Sequence, residues 1–176
     1  MSKGPWAKLV TARQLLEITN EAFASWTQVF TNGCFELLHP GHIDYLLRCK
    51  GLGDLLIVGL NTDESVRRLK GESRPVTGEQ DRAFVLAALE CVDFVVLFSE
   101  DDPLQLIQFI QPDVLVKGGD WPEERIVGRE VVQNRGGRVY SLPLLEGYST
   151  TGLIQRISGR AYKQDPDTSP KNADML

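Results

Sequence analysis

Short apolar runs alternate with amphipathic helical patterns along the whole chain. Segments 54–60 and 93–98 are almost continuously apolar, which is typical of strands buried on both faces of a sheet. Three shorter strands are predicted over 28–31, 114–117 and 138–142. Five strands that alternate with helices predict a single α/β domain with a doubly wound, mainly parallel five-stranded sheet.

The helices are predicted between these strands. They cover 11–26, a segment that begins near His39, 63–69, 77–90, a segment that begins at Asp102-Pro103, 129–134 and 150–157. Thr77 and Gln80 have the spacing of a capping box. In a doubly wound sheet, ligands bind beyond the carboxyl ends of the strands, near the point where strand order reverses. The segments that follow strands are therefore the candidates for function.

The length of 176 residues fits one domain. We expect it to span residues 1–160, because residues 161–176 are polar, contain two prolines and predict a flexible C-terminal tail. No apolar run approaches the ~18 residues of a membrane span.

The charge balance narrows the class of partner. The chain has 19 basic and 24 acidic residues, a net charge of −5, so no overall field would attract nucleic acid or an anionic membrane. Its three cysteines form no CxxC pair or zinc spacing, which indicates reduced thiols and a cytoplasmic protein.

The segment Thr31–His42 carries the candidate chemistry, because it follows the first strand and contains both histidines of the chain. Gly33 is expected to permit a turn with positive φ, and Pro40 fits the first turn of a helix. A helix N-terminus at the end of a strand is a ready phosphate site, and His39 and His42 would point at the same anion. The alternatives are purely structural histidines, or a metal site that also uses Cys34 and Asp44.

Three motifs then agree in order and spacing. His39-Pro40-Gly41-His42 resembles the HxGH signature of the nucleotidyltransferase superfamily, Asn61–Ser65 (NTDES) resembles a segment of its cytidylyltransferase-like branch, and Glu146–Thr151 (EGYSTT) resembles that branch's EGxSTT motif. This resemblance implies a Rossmann-like fold and a nucleotidyltransferase that uses ATP with Mg²⁺.

Further segments narrow the resemblance. RRLKG at 67–71, RPV at 74–76 and VLVKGGDW at 114–121 are similar to bacterial D-glycero-β-D-manno-heptose 1-phosphate adenylyltransferases. The resemblance covers about residues 10–158 and implies the stand-alone form of an activity that many bacteria fuse to a sugar kinase. Glu36 departs from the family's usual aspartate, which affects local geometry more than charge.

The resemblance implies an attack by a sugar 1-phosphate on the α-phosphorus of ATP. That nucleophile is already ionised at pH 7, so positioning and charge neutralisation replace a general base. His39, His42 and Lys70 are the predicted catalytic residues, and no resident metal ligand is predicted. The predicted nucleotide-binding residues are Asn32, Gly33, Cys34, Phe35, Glu146, Gly147, Tyr148, Ser149, Thr150 and Thr151.

The predicted substrate-binding residues are Arg68, Arg74, Lys117 and Asp120. For Lys70 and the two arginines the alternative is a solvated surface, and for Ser149 a simple N-cap. Arg82 and Glu79 are expected on a solvated helix face, outside the site.

Two other functions stay open from the sequence. One is a cytidylyltransferase that acts on a small phospho-alcohol such as glycerol 3-phosphate or phosphoethanolamine, and the other is a non-catalytic nucleotide-binding module. A homodimer is expected because superfamily members are often dimeric.

Overall fold

The computed structural model describes residues 4–119 and 121–159. Its sheet consists of β1 (Gln28–Gly33), β2 (Leu55–Asn61), β3 (Phe94–Phe98), β4 (Val114–Gly118) and β5 (Arg138–Leu142). All neighbours pair in parallel, in the order β3-β2-β1-β4-β5. The Rossmann-like, doubly wound fold predicted from the sequence is confirmed. The predicted tail, 161–176, and the candidate residue Asp120 lie outside the described residues.

Seven α-helices connect and cover these strands in the described part of the chain. They are α1 (Ala12–Ala22), α2 (Pro40–Lys50), α3 (Asp63–Lys70), α4 (Glu79–Ala87), α5 (Leu104–Ile110), α6 (Arg129–Gln133) and α7 (Thr150–Ile157). Not one of these described helices has the length and apolar character that a bilayer crossing requires.

Alternate residues of each strand face opposite layers, and two cores result. Val29, Val58 and Val116 pack towards α2 and α4, whereas Phe30 and Ile57 pack towards α1, α5 and α6. Because both faces are covered, the strands are continuously apolar. Strand order reverses between β1 and β4, so the turn after β1 lies where this class of sheet binds ligands.

Three sequence predictions about helix ends are wrong, and one of them is the end of the helix predicted over 77–90, which lies at Ala87. The first helix ends at Ala22 rather than at residue 26, because Phe23 and Trp26 pack on each other in a turn, with ring centroids 4.7 Å apart. The capping box at Thr77 is absent: Gly78 is the N-cap of α4. The Thr77 hydroxyl instead donates to the Glu36 carbonyl at 2.6 Å.

Candidate functional site

The turn between β1 and α2 brings the two histidines together. As predicted, α2 begins at Pro40, with His39 as its N-cap and no side-chain cap hydrogen bond. The His39 and His42 rings stack with centroids 3.8 Å apart and an interplanar angle of 16°. Both Nδ1 atoms are buried and have no hydrogen-bond partner among the described residues. Buried polar atoms are normally paired, so this pair of imidazoles is suited to a polar ligand.

The electrostatics of the pair keep both rings neutral at pH 7. Burial lowers the pKa of His39. Burial, followed by the proximity of His39 and Lys70, lowers the pKa of His42 from 6.5 to about 4. A neutral imidazole has one N–H donor and one acceptor nitrogen, so each ring can donate one hydrogen bond to a phosphate oxygen without carrying a charge beforehand.

The positive φ expected at Gly33 occurs two residues later. Gly33 ends β1 in the sheet, and Phe35 adopts φ +40°. The Phe35 ring lies 5.2 Å from the His42 ring, centroid to centroid. A Cβ on Gly33 would stand only 3.0 Å from the Phe35 ring. Gly33 therefore permits a close approach of the aromatic ring that supports His42.

The segment before α7 meets the start of α2. A Cβ on Gly41 would lie 3.1 Å from the Tyr148 Cβ and 3.2 Å from the His39 ring, so only glycine allows this contact without displacement. The Tyr148 and His39 rings are stacked, with centroids 6.2 Å apart. The structure thus brings the HxGH and EGxSTT-like motifs to one place.

The remaining residues of this segment surround the N-terminus of α7. Ser149 is its N-cap and accepts a hydrogen bond from the Gly152 N–H at 3.0 Å, so the N-cap role that the sequence gives as an alternative for Ser149 is present. Thr150 and Thr151 form the first turn, and Gly147 adopts φ +79°. Glu146 is exposed just before this turn.

Lys70 and Arg74 converge on the buried carboxylate of Glu36. Arg74 donates to both carboxylate oxygens through Nε and Nη2, and the Lys70 Nζ lies 3.7 Å from Glu36 Oε2. Burial alone would raise the pKa of Glu36, but the hydrogen bonds from Arg74 and Val76 and the two cationic charges lower it overall. Glu36 is therefore ionised at neutral pH, and Arg74 pairs with it.

Arg68 is paired within α3 and with the loop after β3. It contacts Glu64 at 2.9 Å and Asp101 at 2.7 Å. The structure therefore places Arg68 in an exposed ion-pair cluster, and its predicted contact with substrate would have to compete with two carboxylates.

A cavity of about 310 Å³ opens at the carboxyl ends of β1, β2 and β4. Its lining includes the predicted residues Asn32, Gly33, Cys34 and Lys117. Trp121, half exposed, forms part of its wall. Burial lowers the pKa of Lys117. The structure thus brings these four predicted residues together around one cavity.

Arg82 was expected to be solvated, and that prediction is wrong. Only 3% of its surface is exposed. Its guanidinium donates to the carbonyls of Cys34 at 2.6 Å, Asn61 at 2.8 Å and Thr77 at 3.1 Å, and to Asp63 Oδ1 at 2.8 Å. It therefore joins the ends of β1 and β2 to the start of α4. The sequence signal for this burial is helical spacing: Arg82 precedes Ala83 and lies four residues before Leu86, and both of these residues are buried.

In the described part of the chain, no group of three or more His, Cys, Asp or Glu side chains could hold a metal ion. All three cysteines are free thiols.

The fold and the stacked histidine pair define the class: a Rossmann-like domain of the nucleotidyltransferase type. The family model described as Cytidylyltransferase-like matches residues 30–156, and the chain belongs to that family.

Curated relatives are similar over most of this chain. It is 59% identical over 136 residues to a "Bifunctional protein HldE" of Geotalea uraniireducens, which covers 77% of this chain and 28% of that protein. It is 55% identical over 152 residues to a protein of the same name from Syntrophotalea carbinolica, covering 86% and 30%. The chain thus spans less than a third of the length of these relatives.

Two solved structures are similar in fold. The lipopolysaccharide core biosynthesis protein from Thermoplasma volcanium is 29% identical with a TM-score of 0.55, covering 68% of this chain and 97% of that one. The pantoate-beta-alanine ligase from Francisella tularensis is 18% identical with a TM-score of 0.59, covering 82% and 69%, and this likeness concerns the fold alone.

Proposed function

We propose that the protein transfers AMP from ATP to D-glycero-β-D-manno-heptose 1-phosphate, giving ADP-heptose and pyrophosphate. The observation that carries the proposal is the stacked pair of His39 and His42, whose buried Nδ1 atoms lack partners among the described residues. The identity to proteins named HldE and the motifs at 67–71, 74–76 and 114–121 support the sugar substrate.

In this reaction, a phosphate oxygen of the sugar 1-phosphate forms a bond to the α-phosphorus of ATP. The bond from that phosphorus to the bridging oxygen breaks, and pyrophosphate leaves with its electron pair. His39 and His42 donate hydrogen bonds to the oxygens on which charge develops, which is the kind of preorganised stabilisation that contributes most in such sites. Lys70 supplies a positive charge beside them, and the N-terminus of α7 receives the leaving phosphates.

Magnesium would enter with the nucleotide rather than be held by the protein. Mg²⁺ commonly binds substrate phosphates with one or two carboxylates, and the described residues contain no cluster that would hold it alone. When bound, it neutralises phosphate charge. A cytoplasmic site of action fits the three free thiols, and a homodimer stays a prediction that sedimentation of the purified chain would test.

The relatives favour the heptose substrate over the glycerol 3-phosphate alternative, because the matching proteins carry the HldE name. ATP and the sugar phosphate remain part of the proposal. The sugar phosphate is itself the nucleophile of the proposed reaction, so the Cys34 sulfur is not needed in that role.

Pyrophosphate release tests the proposal. With Mg²⁺ present, ATP and CTP are each combined with heptose 1-phosphate, glycerol 3-phosphate and phosphoethanolamine. We expect turnover with ATP and the heptose phosphate, and a loss of at least about a hundredfold in His42→Gln. Turnover with CTP and a phospho-alcohol would replace the substrate, whereas ATP binding without turnover in any combination would favour a binding module.

A further inference from the structure

Glu36 is a buried carboxylate that holds the connection between α3 and α4. Its side chain is 0% exposed and lies three residues before His39. One oxygen accepts a hydrogen bond from the Val76 N–H at 2.8 Å, and both oxygens accept from Arg74. Its carbonyl accepts from the Thr77 hydroxyl. One residue of the β1–α2 turn thus fixes three residues of a distant loop.

The same carboxylate reaches the end of α3. Lys70 is the last residue of that helix, and its ammonium lies 3.7 Å from Glu36 Oε2. The ammonium is also close enough to His42 to lower the pKa of that ring. The lysine therefore lies near both the Glu36 carboxylate and the His42 ring.

The charges of the cluster favour an anionic ligand. Glu36 contributes one negative charge, and Lys70 and Arg74 contribute one positive charge each. Because Arg74 bonds both oxygens of the carboxylate, that pair is internally neutralised. Lys70 is 38% exposed, so the remaining positive charge is available to a ligand.

Resting on the proposed function, we propose that Glu36 is a positioning residue for the nucleotide triphosphate: by clamping Arg74 and the 71–77 segment it places Lys70 beside His42. Arg74 then acts within the clamp rather than as a direct contact of substrate. The opposite arrangement, in which Glu36 merely competes with phosphate for the two cations, makes the opposite prediction about nucleotide affinity.

Titration with Mg²⁺–ATP, without any acceptor sugar, tests this assignment. Glu36→Gln should weaken ATP binding about tenfold, the scale of one hydrogen bond to a charged group. Glu36→Asp keeps the carboxylate and should recover most of the affinity. Glu17→Gln is the matched control, because it removes an exposed Glu–Arg pair at Arg13 and should leave the affinity unchanged.

Three results would overturn the assignment. Tighter ATP binding by Glu36→Gln would make Glu36 a competitor for the cations. Unchanged binding with a lower melting temperature would make its role structural only, and equal loss in the Asp and Gln variants would show that the carboxylate is not the determinant.

A second variant covers the case in which Glu36→Gln does not fold. Arg74→Lys keeps the charge but cannot bond both oxygens, so it should also weaken binding, and wild-type affinity in this variant would contradict the clamp. The measured quantity, ATP affinity, is separate from the proposed function. If the wild type binds ATP but turns over no acceptor, the proposed reaction is contradicted, and the effect of the variants on ATP affinity still tests the clamp. If the wild type does not bind ATP, both the proposed reaction and the positioning role of Glu36 are contradicted.

Discussion

At the scale of single residues, the site consists of groups whose charge state the fold sets in advance. His42 is neutral because burial and the neighbouring His39 and Lys70 oppose its protonation, whereas Glu36 is ionised because Arg74 and Val76 stabilise its charge against burial. A neutral donor pair beside a net positive cluster suits a ligand that brings several negative charges of its own.

His42 should make stability depend on pH in a defined window. The unfolded imidazole takes up a proton below about 6.5, but the folded one does so only near 4, so the free energy of unfolding falls as the pH drops through this range. We expect the wild type to lose up to about 3 kcal/mol more than His42→Gln between pH 6.5 and 4. Denaturant unfolding at several pH values measures the difference, and parallel curves for the two proteins would contradict it.

Arg82 should be a strong determinant of stability. Replacing it by Met leaves three carbonyls and Asp63 without their shared donor, and removal of one partner of a buried charged pair costs roughly 3 kcal/mol or more. Arg13→Met is the matched control, because that side chain is 86% exposed and its loss should change stability by less than about 0.5 kcal/mol. Chemical denaturation of both variants decides the point; similar small losses would show that Arg82 is dispensable.

At the scale of elements, the strands could be predicted because burial on both faces leaves a direct trace in the sequence. The apolar runs at 54–60 and 93–98 match β2 and β3 to within one residue at each end. The start of α2 was also predictable, since a proline such as Pro40 fits the first turn of a helix.

Contacts between distant segments leave no such trace. The pairing of Glu36 with Arg74 spans 38 residues, and Arg82 reaches Cys34 across 48. Local rules therefore assigned Thr77 to a helix cap and Arg82 to solvent, while the tertiary structure uses both to join loops. The sequence motifs indicated which segments meet, but the carboxylate that holds them required the structure.

Gly41 tests how closely the start of α2 must approach the segment before α7. Ala is a better former of helix interiors than Gly by about 0.5–1 kcal/mol, and this gain offsets part of the cost of crowding, so Gly41→Ala should change the melting temperature little. Its Cβ would nevertheless crowd Tyr148 and the His39 ring at 3.1–3.2 Å. We expect pyrophosphate release to fall about tenfold or more, because small displacements in a preorganised site are costly.

Thermal melting of the same sample provides the control for that variant. Wild-type turnover would show that Tyr148 yields without moving the histidine. A lower melting temperature would show that the added methyl disturbs the helix itself.

At the scale of the whole molecule, the topology of the sheet decides where the candidate site lies. The strand order puts the β1–α2 turn at the point of reversal, and ligands in this class of sheet bind beyond the carboxyl ends of the strands. The histidine pair, the Glu36 cluster and the cavity at β4 all lie along this edge, so one fold-level feature accounts for their convergence.

The predicted tail provides a test of where the functional unit ends. Deleting residues 163–176 should change the melting temperature by less than about 2 °C, because a surface change away from packed features alters stability by about 0.5 kcal/mol or less. Turnover should also be retained, since no predicted site residue follows Thr151. Calorimetry and pyrophosphate release on the shortened chain measure the two effects. A large loss of stability would mean that the segment packs on the domain, and a loss of turnover alone would mean that it contributes to the ligand site.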